Sequence, residues 1–383
     1  MSDQRRVVSI GIHPAKVRLI KVDESLEPED RDIVSAMVKS YLSILPLLLL
    51  TAAFAVADSG PGVVKSPDGQ LVISFATLQS GQLTYSVTFH GKPLIDESAL
   101  RLDLVGTTPL GSGVRIVKQT PSQLDETYRL VTGKASTVRN KYNALRLDLA
   151  EVRGLQRELS IEARAYDDAV AFRYVVPDQH AIREFRLKDE DTEFRISKDA
   201  TTYALVLPHF RTMYESEYLK LPASAFANPN GLSRKVLIGL PLLMEVPGVG
   251  WMAITEADMR GYSAMYLVNP SMDWGGHYFE SRLAPGDDPD VAVEGSLPEH
   301  SPWRVMLVGD QPGKLIESNV ITSLNPESAI KDTSWIHGGL TAWDWWSGSI
   351  NKAGKSAFTT ETMKYLRRFR GEVRDALYAD RRG

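Results

Sequence analysis

The chain has no cysteine among its 383 residues, and that absence removes disulfides, thiolate zinc sites and cysteine nucleophiles together. Any metal it holds must be bound by oxygen or imidazole. Neither sign of charge dominates: 44 Lys and Arg against 48 Asp and Glu leave a net charge of −4, too little positive field to hold nucleic acid or an anionic membrane surface. Sugars, peptides or small neutral ligands suit this balance, and nucleic acid is not an expected partner. The seven histidines, among them His209, His277, His300 and His337, show no HExxH pair or other ligand spacing. A Gly-rich phosphate loop and a GxSxG elbow are missing too, so nucleotide and serine-esterase chemistry lose their usual signals.

Long hydrophobic runs are scarce. The longest extends from Tyr41 to Ala57, follows Met37-Val38-Lys39 and ends in small residues at Ala53-Phe54-Ala55 and Ala55-Val56-Ala57. A short positive region, a Leu-rich stretch and a small-residue cleavage site are the three parts of a secretory signal. The run is too short, and too interrupted by Pro46, for a membrane span of about 20 residues. Residues 37–57 therefore read as a signal peptide cut after Ala57, with Met37 as the start and residues 1–36 as a non-native extension. The alternative is a cytoplasmic arm followed by an uncleaved anchor. The first reading predicts a periplasmic or secreted product with no stable membrane span after cleavage.

What the chain does have is period-two alternation. Leu83, Tyr85, Val87 and Phe89 alternate with Thr84, Ser86 and Thr88 before a turn at His90-Gly91-Lys92. The same pattern marks Leu145-Leu147-Leu149, Leu159 to Ala165, Val170-Phe172-Tyr174, Val236 to Val246, Trp251 to Thr255 and Trp303 to Val308. Many short strands broken by Gly, Pro, Asn and Asp, with no helical stretch among them, predict a mainly β protein: a large antiparallel sandwich over residues 58–328. After Trp346 the period changes. Thr360-Glu361 followed by Met363, Leu366, Phe369, Val373 and Leu377 predicts a capped helix. A strand around Trp335 to Trp346 and then that helix read as the first βα unit of a (β/α)₈ barrel cut short, spanning 329–383, with an Arg-rich tail.

Two clusters are candidates for chemistry. In Tyr214-Glu215-Ser216-Glu217-Tyr218, two carboxylates sit on a loop expected to leave the sandwich after Pro208. They suit Ca²⁺ in kind but not in number, since Ca²⁺ takes six to eight oxygens; the other reading is a solvated acidic loop. Glu256 raises the same question. The acidic stretch Ala284 to Asp290 lacks EF-hand spacing and reads as a solvated loop. In Trp343-Asp344-Trp345-Trp346, aromatic faces beside a carboxylate make a sugar platform or a piece of core.

Distributed motifs then reach a family. Ser66-Pro67-Asp68-Gly69, Arg139-Asn140-Lys141-Tyr142-Asn143, Asp167 to Tyr174, Glu256-Ala257-Asp258 with Tyr262 and Met265, Ser301-Pro302-Trp303-Arg304, and Ser334-Trp335 to Trp346 together resemble the N-terminal half of glycoside hydrolase family 97. The resemblance implies a galactose-mutarotase-like β-super-sandwich ahead of a catalytic (β/α)₈ barrel and a small C-terminal β domain. It implies hydrolysis of terminal α-glucosidic or α-galactosidic bonds in the full-length enzyme, an oligosaccharide or α-glycoside substrate, and a Ca²⁺ to which the sandwich lends one glutamate, Glu215, with Glu217 as the alternative. Trp343, Asp344 and Trp346 become expected substrate contacts, and the run containing them leans towards the retaining branch. No catalytic residue is named, because the paired carboxylates belong to later barrel strands. The competing reading is a stand-alone carbohydrate-binding or structural sandwich.

Overall fold

The structure, a computed structural model, describes residues 60–227, 236–271, 276–338, 359–368 and 371, all within the unit Asp58–Gly383. The expected signal peptide, the extension before it, and Trp343, Asp344 and Trp346 lie outside the described residues.

Among the described residues are eighteen strands, and the alternating runs read from the sequence lie in them. In chain order they are β1 (Gly62–Lys65), β2 (Leu71–Thr77), β3 (Leu83–Phe89), β4 (Lys92–Leu104), β5 (Val114–Arg129) and β6 (Thr137–Glu151). Next come β7 (Glu158–Tyr166), β8 (Ala169–Val176), β9 (Phe185–Arg195), β10 (Thr201–Leu207), β11 (Tyr218–Pro222) and β12 (Leu237–Val246). The last six are β13 (Gly250–Ala257), β14 (Met265–Val268), β15 (Tyr278–Leu283), β16 (Val293–Gly295), β17 (Glu299–His300) and β18 (Trp303–Gly309). Every pairing is antiparallel. The meander β1 to β4 joins β9, and β9 passes to β15, β14 and β12. From β12 the ladder continues through β13, β18, β8, β7 and β6 to β5, while β10 and β11 branch from β12.

The reason the sheet folds on itself is visible in single strands. Leu71, Ile73 and Phe75 on β2 are fully buried, as are Leu159, Ile161, Ala163 and Ala165 on β7, and both sets belong to one core. Across that core Phe172 meets Phe75 edge-on at 6.2 Å and Tyr85 at 4.9 Å. The layers approach so closely at β1 that a Cβ on Gly62 would come within 2.7 Å of Leu147. The β3–β4 hairpin turns through His90 and Gly91, both at positive φ (50° and 72°), the conformation a two-residue turn of type I′ demands and Gly supplies cheaply.

After β18 come two short helices the alternation gave no hint of, α1 (Pro312–Glu317) and α2 (Val320–Leu324). Pro312 opens the first, where its missing N–H costs nothing. Val320 and Leu324 lie on the outer face of the sheet against Tyr166, Ala169, Trp303 and Val305. The predicted strand fares differently from the predicted helix. Ser334 and Trp335 form a turn, and the remainder of that segment lies outside the described residues. Residues 360–368 are helical, and the Thr359 hydroxyl caps them by accepting from the Thr362 N–H at 3.2 Å.

Candidate functional site

The residues of the family resemblance gather at two polar sites. At the first, Arg304 on β18 reaches Glu190 on β9 through two parallel bonds of 2.7 and 2.6 Å and Glu256 on β13 through a third of 2.7 Å. Arg304 and Glu190 are wholly buried. Charges removed from water this completely persist only when paired and fully hydrogen-bonded, and the pairing is dense. Thr192 donates to Glu190 at 2.7 Å, the Tyr174 hydroxyl meets Thr192 at 2.7 Å, and Glu256 accepts from the Met265 N–H at 3.2 Å. Burial works against the guanidinium charge, but Glu190 and then Glu256 outweigh it and hold the Arg304 pKa above its ordinary value. Burial likewise lifts the Glu256 carboxyl, with Arg304 opposing. It lifts the Tyr174 and Tyr262 phenols too, helped by the Glu190 charge. Glu256 is thus held in a buried ion network with Arg304.

The segment 208–217 leaves β10 where the sequence placed a loop. Phe210 and Tyr214 pin it to Tyr266 of β14, with ring centroids 5.0 and 6.3 Å apart. Tyr214 sits at φ 59°, a conformation uncommon for a non-glycine residue. Glu215 and Glu217 are exposed on this loop. Among the described residues no group of three or more His, Asp or Glu stands close enough to hold a metal. Two exposed carboxylates on one loop fall well short of six to eight oxygens, so the described residues do not fit a complete calcium site. The stretch from Ala284 to Asp290 is the solvated loop expected of it, with Asp288 pairing with Arg186 at 3.4 Å.

At the second site, the remaining motifs converge. The side chain of Asp167, in the two-residue turn between β7 and β8, accepts the Asp68 N–H at 2.9 Å. Asn143 donates to the Lys65 carbonyl at 2.8 Å. Beside this junction lies a half-open cavity of about 280 Å³ between the start of β6, the β7–β8 turn and the α1–α2 segment. Arg139, Lys141, Tyr166, Asp167 and Asn319 are among its walls. Sequence reasoning missed it. The one available signal was that Arg139 to Asn143 and Asp167-Asp168, charged stretches beside apolar alternation, both belonged to the resemblance.

The fold defines the class: a large antiparallel β-sandwich packed on itself, with the motifs of the family resemblance joining its strands. The chain belongs to glycoside hydrolase family 97, for the family description "Glycosyl-hydrolase 97 N-terminal" matches residues 64–326. It is 26% identical over 304 residues to a retaining alpha-galactosidase of Bacteroides thetaiotaomicron, covering 74% of this chain and 44% of that protein. A probable retaining alpha-galactosidase of Streptomyces bingchenggensis is 28% identical over 299 residues, covering 78% and 42%. Among solved structures, a family 97 enzyme from Pseudoalteromonas sp. strain K8 in complex with acarbose superposes with a TM-score of 0.70 at 26% identity, covering 79% of this chain and 45% of the other. The chain therefore spans under half the length of the relatives it matches.

Proposed function

We propose that this sequence is the N-terminal super-sandwich of an α-glycoside hydrolase, with terminal α-galactosides as the first substrate class to test and α-glucosides as the second. The support is the family match across 64–326, joined to alpha-galactosidase relatives that are named as retaining. Hydrolysis would pass through an oxocarbenium-like transition state flanked by two carboxylates. The sandwich's own part is architectural: the Arg304 network fixes the end from which the loop carrying Glu215 and Glu217 emerges. Segment 37–57 supports export to the periplasm or beyond. By itself the sandwich is proposed to carry no turnover, since its buried carboxylates Glu190 and Glu256 are committed to Arg304.

The test is hydrolysis of nitrophenyl α-galactoside and α-glucoside by the complete protein in which this sequence occurs, with the anomer of the released sugar followed by proton NMR. Galactose released first as the α-anomer is the expected result. No release from either substrate overturns the proposal, and β-galactose as the first product overturns retention.

A further inference from the structure

The loop that joins β4 to β5 walls another cavity, a wide-mouthed one of about 760 Å³, a volume in the range that takes small organic ligands. The loop is built to keep its shape. Leu102 and Leu110 close its base through two backbone bonds of 2.8 and 2.9 Å, the Val105 N–H reaches the Arg186 carbonyl at 2.9 Å, and Gly106 turns it at φ 74°. Behind its tip lies Arg157, only 1% exposed. Glu151 answers that charge, accepting from Nε at 3.0 Å and from Nη2. The guanidinium also holds the loop: Nη1 donates to the Thr107 hydroxyl at 3.3 Å and Nη2 to that of Thr108 at 3.0 Å. A guanidinium has no lone pair to offer, so both hydroxyl oxygens accept, and each hydroxyl keeps its proton to donate elsewhere. Both threonines are exposed and line the cavity. Among the described residues neither hydroxyl finds an acceptor.

Three charged side chains share the lining with those hydroxyls: Asp103, Lys188 and Asp290. Lys188 and Asp290 face each other at 3.8 Å, and Arg186, on the same strand as Lys188, is engaged by Asp288 at 3.4 Å and Glu294 at 3.9 Å. Asp103, half-buried, has no ion-pair or hydrogen-bond partner among the described residues. Two carboxylates against one ammonium leave the lining negative, which turns away an anion. A metal cation fares no better, because one free carboxylate falls far short of the six to eight oxygens of Ca²⁺, and the Arg157 charge stands behind the two threonines. The groups left over are two hydroxyl donors and a carboxylate acceptor, set beside the apolar Val105 and Pro109. A neutral ligand completes them all if its hydroxyls accept from the threonines and donate to Asp103 while its C–H surface rests on the apolar pair. A saccharide has that surface.

We propose that the cavity walled by the β4–β5 loop binds a neutral saccharide of one or two rings, with Thr107 and Thr108 donating to its oxygens and Asp103 accepting from its hydroxyls. The proposal stands on the cavity's own chemistry and does not depend on the hydrolase reading. It is tested by titrating the 383-residue chain with maltose, melibiose, citrate and blocked triglycine, using calorimetry and saturation-transfer NMR. Saturable binding of a disaccharide is expected, with none of citrate or the peptide at the same concentrations. Asp103→Ala should weaken it about tenfold or more, the effect of losing a hydrogen bond to a charged group, and Thr108→Val about fivefold. Thr108→Ser keeps the hydroxyl and should bind as the parent does. Asp103→Ala should also leave the melting temperature unchanged, so its loss of binding is read on folded protein. No saturable binding of either disaccharide, citrate or peptide binding as tightly, or disaccharide binding untouched by both Asp103→Ala and Thr108→Val overturns the proposal. Equal weakening by Thr108→Ser and Thr108→Val overturns it too, because the hydroxyl would then not be the contact.

Discussion

The Arg304 network and the Tyr166 cavity are built from the same kinds of side chain and reach opposite states. Around Arg304, two carboxylates, Thr192 and Tyr174 complete one another's hydrogen bonds with no atom left over for a ligand. Around Tyr166, a buried phenol makes no hydrogen bond of normal geometry among the described residues, and the Arg164 guanidinium beside it only opposes the rise of its pKa. Polar burial therefore has two meanings in this sandwich. Saturated groups hold strands together, and an unsaturated one costs desolvation with nothing in return.

The comparison breaks most visibly at Arg304. Arg304→Met leaves Glu190 and Glu256 buried without their partner, and loss of one member of a buried pair costs about 3–5 kcal/mol. Urea unfolding should show a midpoint far below that of the parent chain, or no cooperative transition at all. An unchanged midpoint would mean that the network is dispensable.

A smaller effect is expected from acid. Burial raises the Glu162 carboxyl, but Arg173 and Arg146 together hold it below its ordinary pKa, and Arg157 does the same for Glu151. A depressed carboxyl contributes stability above its unfolded pKa and loses it as pH falls through the folded value. Glu256 and Asp189, raised chiefly by burial, act oppositely, contributing at low pH and losing that contribution as pH rises through their folded values. Melting temperatures taken between about pH 6 and pH 3 should fall less steeply in Glu162→Gln than in the parent, and a steeper fall would reverse the assigned sign.

The smallest effects belong to the exposed loop. Glu215→Ala should change stability by less than about 0.5 kcal/mol, as surface substitutions usually do. Millimolar Ca²⁺ on a site with a Kd of about 1 mM or weaker should add no more than about 0.5 kcal/mol. A rise of many degrees on adding Ca²⁺, abolished by Glu215→Ala, would show a complete metal site in the sandwich.

The contrast also explains what could be read from the sequence. Runs such as Leu83 to Phe89 and Leu159 to Ala165 announced their strands because a half-buried strand writes its burial in a local period of two. The loop after Pro208 was legible for the same reason, as the place where alternation stops. Arg304 and Glu190 were not legible as partners, because 114 residues separate them and nothing local shows that a charged residue will be buried. The cavity was hidden likewise, its walls coming from β6, the β7–β8 turn and α2. Helices of six and five residues are too short to display a helical period. The sugar-platform expectation for Trp343, Asp344 and Trp346 falls outside the described residues.

The claim that the Arg304 network is saturated and the Tyr166 phenol is not is tested most directly by a matched pair of substitutions, Tyr174→Phe and Tyr166→Phe, compared by urea unfolding of the same chain. Both tyrosines are buried, and burial raises both phenols, that of Tyr166 to about 12. Removing the Tyr174 hydroxyl deletes a bond in a buried network and should cost about 1 kcal/mol or more, whereas removing the Tyr166 hydroxyl deletes at most a contact with the Arg164 guanidinium and should cost nothing or stabilise slightly. Equal losses at the two positions would contradict the account.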